Sequence, residues 1–300
     1  MTASTADFGR EAGAGLSDDE LPAYAPMLAA FHRTCASDLQ KIIADLPIKP
    51  GARVLDMACG DGAYSLWLAE RVGPTGSVIG VDRSTAYLDV AREQARSSPL
   101  SPIISFQQGD IAELPFADDS FDLVWCAHSL YSLPDPVAAL HELRRVASVG
   151  GHVAILENDT LHHHLLPWPA ELELAVRSAQ LDALEADVDG SGKFYIGRDL
   201  CRVFDMVDLS ACCVTSYTID HRAPLSADER SFLGAYLEDL GKRARPYMDV
   251  ATRTAFDLLL RPYSSLYLLD RGDFFSSHLE LVAVGTKQAE ATLKERAIGG

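Results

Sequence analysis

Through the first half of the chain, short apolar runs alternate with longer stretches whose apolar positions recur every three or four residues. The runs Arg53–Met57, Ser77–Val81, Ile103–Gln107, Phe121–Cys126 and His152–Glu157 predict five strands. Helical spacing fills the gaps between them. One helix runs from Gly62 to about Val72, stopped by Gly73-Pro74. A second starts at an N-cap, Ser84, and reaches about Ser97. A third opens on Asp135-Pro136, a cap followed by proline at the first helical position, and ends at Gly150-Gly151. Its apolar face is Val137, Leu140, Leu143 and Val146. Repeated strand–helix units of this length predict an α/β fold with a doubly wound, mostly parallel sheet.

Ahead of these units, Leu21–Leu46 carries Met27, Leu28, Phe31, Leu39, Ile42 and Ile43 at helical spacing, until Pro47 and Pro50 stop it. This arm covers either a sheet edge or a ligand. After Glu157 the rhythm breaks. A helix-like segment follows Pro167 and Pro169 to about Asp187, then a helix over Gly197–Leu209 and a strand over Cys213–Asp220. Ser226-Ala-Asp-Glu229 is a capping box, and more helix is expected at Val250–Leu260. A last strand, His278–Gly285, shows Leu279, Leu281 and Ala283 in alternation. The expected organisation is an N-terminal helical arm (1–50), a ligand-binding core (51–158) and a segment (159–300) that completes the sheet. That segment also supplies a helical cap from insertions at about 159–195 and 222–275.

Charge narrows the partners. With 26 basic against 43 acidic residues the net charge is −17, a surface that repels phosphate backbones and anionic membranes. No nucleic-acid or membrane partner is expected. The start of the chain lacks the look of a signal peptide, and no apolar stretch reaches spanning length. The six cysteines have neither metal spacing nor the density of a disulfide scaffold, so reduced thiols in a cytoplasmic protein are the simplest account.

The candidate chemistry sits at strand ends, where open parallel sheets bind ligands. Val54-Leu-Asp-Met-Ala-Cys-Gly-Asp-Gly62 runs from a strand through glycines into a helix, which brings bare backbone N–H groups to a ligand. A dinucleotide fingerprint would need a third glycine where Ser65 stands. Asp82 ends the second strand and suits the two hydroxyls of a ribose. Asp110, followed by Ile111, suits an adenine: a carboxylate for its amino group and an apolar side chain for its face. Cys126 ends the fourth strand.

These motifs, in this order, resemble class I S-adenosylmethionine-dependent methyltransferases, most closely the ubiquinone- and menaquinone-biosynthesis type. Residues 54–62 resemble the first motif, Gly-Val-Asp-Arg-Ser (80–84) the second and Gln-Gly-Asp-Ile-Ala-Glu-Leu-Pro-Phe (108–116) the third. Phe-Asp-Leu-Val-Trp-Cys (121–126) with Leu-Tyr-Ser-Leu-Pro-Asp-Pro (130–136) resembles the fourth, and 143–155 the fifth. The resemblance implies a seven-stranded Rossmann-like sheet whose last strand inserts antiparallel. It also implies S-adenosylmethionine as donor, S-adenosylhomocysteine as product, and a donor seat of Asp56, Ala58, Cys59, Gly60, Asp82, Arg83, Asp110, Ile111 and Cys126. One departure stands out: Tyr131 and Ser132 replace two histidines common in the fourth motif.

The implied reaction is in-line methyl transfer to a small molecule, on oxygen first, with carbon or nitrogen as alternatives. A protein of this fold that holds the donor without transferring methyl is the other reading. A hydroxyl or amine acceptor can need a general base. His128 and Tyr131 are the catalytic candidates, with Glu157, His162-His163-His164 and His221 behind them. No metal is expected, because consecutive histidines point in different directions. Aromatic residues throughout the cap suit a partly apolar or aromatic acceptor. The reading is compatible with a homodimer.

Overall fold

A computed structural model describes residues 18–161, 164–186 and 195–289. Two helices, α1 (Ala25–Thr34) and α2 (Ala36–Asp45), precede the sheet. The alternation that follows is β1 (Arg53–Met57), α3 (Ala63–Val72), β2 (Ser77–Asp82), α4 (Thr85–Arg96), β3 (Ile104–Gln108), β4 (Phe121–Ala127), α5 (Pro136–Val146) and β5 (Ala147–Glu157). Then come β6 (His164–Leu165), α6 (Ala170–Glu185), α7 (Ile196–Met206), β7 (Leu209–Arg222), α8 (Ala227–Ala244), α9 (Val250–Leu260) and β8 (Phe275–Lys287).

The strand order is β3-β2-β1-β4-β5-β8, with β7 on the outer edge of β8. All of these strands run parallel except β8, which is antiparallel to both β5 and β7. The antiparallel last strand agrees with the expectation, but the sheet has eight strands rather than seven. The extra one, β6, prolongs the line of β5 along the same edge of β8: Glu157 pairs with Leu281 and His164 with His278. The chain winds outward from β1 to β3 and returns at β4, so the switch point lies between the carboxyl ends of β1 and β4.

Strand residues alternate between two apolar layers. Val54, Val78, Leu123 and Trp125 pack with α1, α2, α3 and the cap helices. Leu55, Met57, Val81, Val124 and Ile155 pack against α5 and α7. Burial on both faces makes these strands read as continuous apolar runs. The local signals act as expected: Ser84 accepts from the Tyr87 N–H, Asp135 from Ala138, and Ser226 and Glu229 close their capping box.

The helical arm, read from sequence as one helix, is two. Cys35 leaves the helical conformation (φ −97°, ψ 6°) and is fully buried. The break lets α1 pack across α8 while α2 packs on α3. The expected phase of β8 also shifts. Up to Val282 its buried positions are Ser276, His278, Glu280 and Val282, with Leu279 and Leu281 half-buried, and the expected phase returns at Ala283, which is fully buried.

Candidate functional site

A cavity of about 970 Å³ opens at the carboxyl ends of β1, β2 and β4, roofed by α1, α6 and α8. Its floor at one end is the glycine turn. Ala58, Gly60 and Gly62 all have positive φ (56°, 50° and 81°), which turns the backbone sharply before α3 begins. At Gly62 a side chain would also collide, since an added Cβ would stand 2.8 Å from the Cβ of Ala91.

Asp82 anchors this turn. One carboxylate oxygen accepts from the Gly60 N–H and the other from the Ser84 N–H, each at 2.9 Å. Burial raises the pKa of its carboxyl, with those N–H groups opposing the rise. A carboxylate offers about four acceptor positions, so Asp82 retains capacity for two hydroxyls of a ribose. Asp110 and Ile111 line the same end, as do Ala58, Cys59 and Arg83. Arg83 lies in the cavity mouth, 3.6 Å from Asp18. Residues Asp18 and Asp19 tie down over the start of α4, where the Thr85 hydroxyl donates to the Asp18 carbonyl at 2.8 Å. This set fits the adenosine half of S-adenosylmethionine.

Two residues assigned to the seat are absent from the cavity wall. Asp56 is buried behind the turn, where it accepts a hydrogen bond from the Ser65 hydroxyl at 2.5 Å. Burial raises its pKa to about 7. Ser65 therefore closes a polar contact between β1 and α3 where a dinucleotide fingerprint has glycine. Cys126 is fully buried on the opposite face of the sheet, among Leu55, Val124 and Ile155. Strand alternation sends both side chains into the packed layers rather than past the strand end.

The other end of the cavity holds the acid–base groups. His128, at positive φ (47°), follows β4. Its Nε2 lies 2.9 Å from Oε2 of Glu280, a residue of β8 that is 2 % exposed. Facing a carboxylate, Nε2 is the nitrogen that donates, which leaves the lone pair on Nδ1. Burial by itself lowers the pKa of His128, but the charge and hydrogen bond of Glu280, with Glu157 behind, outweigh it and the net shift is upward.

Glu157 stands off the cavity and fixes the loop that carries His128. Its Oε1 accepts from the N–H groups of Ser129 (2.9 Å) and Leu130 (2.7 Å), and burial raises its pKa to about 7. Tyr131 sits in the cavity mouth. It is 37 % exposed, and the protein packed around it and the charge on Glu157 raise its phenol pKa. His164 lines the cavity stacked on Tyr236, with ring centroids 4.0 Å apart. His221 is buried beside Glu229. His162 and His163 lie outside the described residues.

Two further contacts were not anticipated. Glu280 reaches His128 across 152 residues of sequence. Its one sequence signal is a charge in the phase of β8 opposite to Leu279 and Leu281. Asp61, inside the glycine turn, holds Nδ1 of His32 on α1 at 3.0 and 3.1 Å, with both side chains 7 % exposed. That contact fastens the roof to the floor, and a polar residue on the apolar face of α1 was its signal. Among the described residues no group of three or more His, Cys, Asp or Glu side chains is arranged to hold a metal ion. No helix there is long and apolar enough to cross a membrane.

Motif order, sheet topology and this seat define a class. Residues 48–193 match the family model of a methyltransferase domain. That stretch, just under half of the chain, is a methyltransferase domain. Among individual proteins it is 45 % identical over 109 residues to the 2-phytyl-1,4-naphtoquinone methyltransferase of Synechococcus elongatus, covering 36 % of this chain and 47 % of that one. The chain spans about half the length of the curated relatives it matches. Its fold is shared with a putative methyltransferase from Bacillus halodurans (TM-score 0.53, 18 % identity, covering 84 % of this chain and all of that one). It is shared equally with a [4+2]-cyclase (TM-score 0.50, 17 % identity, covering 89 % and 95 %), so the fold by itself does not select the reaction.

Proposed function

We propose that this chain transfers the methyl group of S-adenosylmethionine to a hydroxyl of a small, partly apolar or aromatic molecule, with His128 as general base. The observation that carries the reading is the His128–Glu280 pair, set in the wall of the cavity whose other end fits adenosine. The bound donor supplies a methyl group already activated on a sulfonium. The protein's work is to seat it, aim the acceptor and exclude water. Glu280 holds the imidazole in the tautomer that leaves Nδ1 free to take a proton. The acceptor oxygen gives its proton to Nδ1 and bonds to the methyl carbon while the sulfur–carbon electron pair returns to sulfur. The products are a methyl ether, S-adenosylhomocysteine and a proton that leaves His128 for solvent.

The naphthoquinone named for the Synechococcus relative supports an aromatic acceptor here. Carbon or nitrogen acceptors would use the same seat. The acidic surface supports a small molecule rather than a nucleic acid, and a cytoplasmic setting agrees with free cysteines. Purified protein incubated with methyl-labelled donor and a panel of phenols, reduced naphthoquinones and amines should label a hydroxyl. Tight donor binding without label in any acceptor would overturn the reading, since a cofactor-holding cyclase would behave that way.

A further inference from the structure

The acceptor end of the cavity carries one polar group that proton removal leaves unused. His278 of β8 lines the cavity and is 2 % exposed, and neither ring nitrogen has a hydrogen-bond partner among the described residues. Its Nε2 is 3.7 Å from Oε1 of Glu280, beyond hydrogen-bond reach. Burial lowers its pKa to about 4 despite the opposing charge of Glu280, so the ring is neutral near pH 7. A neutral imidazole has one N–H and one lone pair, and burying both unpaired is costly. Such a group in a cavity wall is a place for a ligand's polar atom.

Its position says which atom. His128 and His278 flank one carboxylate: Oε2 of Glu280 meets the first ring and Oε1 faces the second. Both rings lie against Phe31, with centroids at 5.6 and 5.9 Å. The two imidazoles therefore share one carboxylate and one phenylalanine ring as neighbours. Around them Phe31, Phe232 and the stacked His164–Tyr236 pair provide flat walls.

Resting on the methyl-transfer reading above, we propose that the acceptor is an aromatic ring bearing two adjacent hydroxyls, and that His278 is the specificity-determining residue. One hydroxyl loses its proton to His128 and is methylated. The other bonds to His278, as donor or acceptor, and keeps its proton throughout. The product is the mono-ether of the diol.

The test uses the full chain loaded with S-adenosylhomocysteine. Calorimetry compares 4-methylcatechol with 4-methylphenol and with a dihydroxybenzene whose hydroxyls are not adjacent. The catechol should bind at least about tenfold more tightly than either, a difference of ~1.4 kcal/mol. His278→Phe keeps a ring beside His221 and should abolish the preference without changing the affinity for S-adenosylmethionine. His278→Gln, which retains a donor and an acceptor, should restore part of it. Equal binding of all three probes, or a preference that survives in His278→Phe, overturns the proposal. So does a stoichiometric transition metal in the purified protein whose chelation removes catechol binding. A catechol preference lost in His278→Phe, with no methyl transfer to any probe, upholds recognition by His278 and sinks the methyl-transfer reading separately.

Discussion

Replacing Asp61 with alanine tests whether the roof of the cavity is fastened to its floor by one buried contact. Both carboxylate oxygens of Asp61 face Nδ1 of His32, at 3.0 and 3.1 Å, and Oδ1 also accepts from the Ala63 N–H at the start of α3. A hydrogen bond to a charged group is worth about 1.5–3 kcal/mol, and a buried polar group left without its partner costs about 1–3 kcal/mol. Nε2 of His32 already has no partner, so Asp61→Ala strands the whole ring. The expected loss is about 3–5 kcal/mol, the range for breaking a buried pair from one side. His32→Ala loses the edge contacts of the ring with Tyr64 and Trp67 as well, but leaves Asp61 its bond to Ala63. In a double-mutant cycle by urea unfolding, the double variant should be about 1.5–3 kcal/mol less damaged than the sum of the singles. The pH dependence follows from the carboxyl. Burial opposes its ionisation, but the hydrogen bond and charge of His32 prevail and hold the Asp61 pKa below its ordinary value. Its contribution is therefore complete above the unfolded carboxyl pKa of about 4 and disappears as pH falls through the lower folded value. Wild type should lose stability in that acid window, and Asp61→Asn should follow a flatter curve. Additivity of the two single substitutions to within about 0.5 kcal/mol would refute the coupling.

Three other outcomes follow from the site. Asp82→Ala should weaken S-adenosylmethionine binding several-fold or more in calorimetry, and unchanged affinity would remove the ribose assignment. Gly62→Ala forces a side chain into φ 81° with its Cβ 2.8 Å from that of Ala91; left-handed backbone costs about 1–2 kcal/mol and overpacking about 1–3. A denaturation midpoint matching wild type would contradict that geometry. Glu280→Gln takes away the charge that lifts the pKa of His128 against its burial. Base catalysis requires neutral imidazole, so activity rises as pH climbs through that pKa. The acid limb of kcat/KM should accordingly move to lower pH in the variant, and kcat should fall as the tautomer loses its guide. An acid limb that stays in place would exclude His128 as the base.

The parts of this molecule that were legible in sequence share a physical cause. The strands β1, β2, β4 and β5 declare themselves because both faces are buried, and their helices because caps such as Ser84 and Asp135 satisfy local donors. The end of the cavity proposed to take adenosine is local too, since each strand end carries its own motif. The acceptor end has no such property. Glu280 meets His128, and Asp61 meets His32, only after the sheet has wound and the arm has crossed it. Alternation also misleads there, because β8 buries His278 and Glu280 while Leu279 and Leu281 stay half-exposed. A buried carboxylate and a buried unpaired imidazole on one strand face are expensive where greasy residues would pack. A chain that spends its central antiparallel strand this way violates the local rule at the point where the cavity needs polar atoms. The phase inversion of β8 is itself the mark of the site.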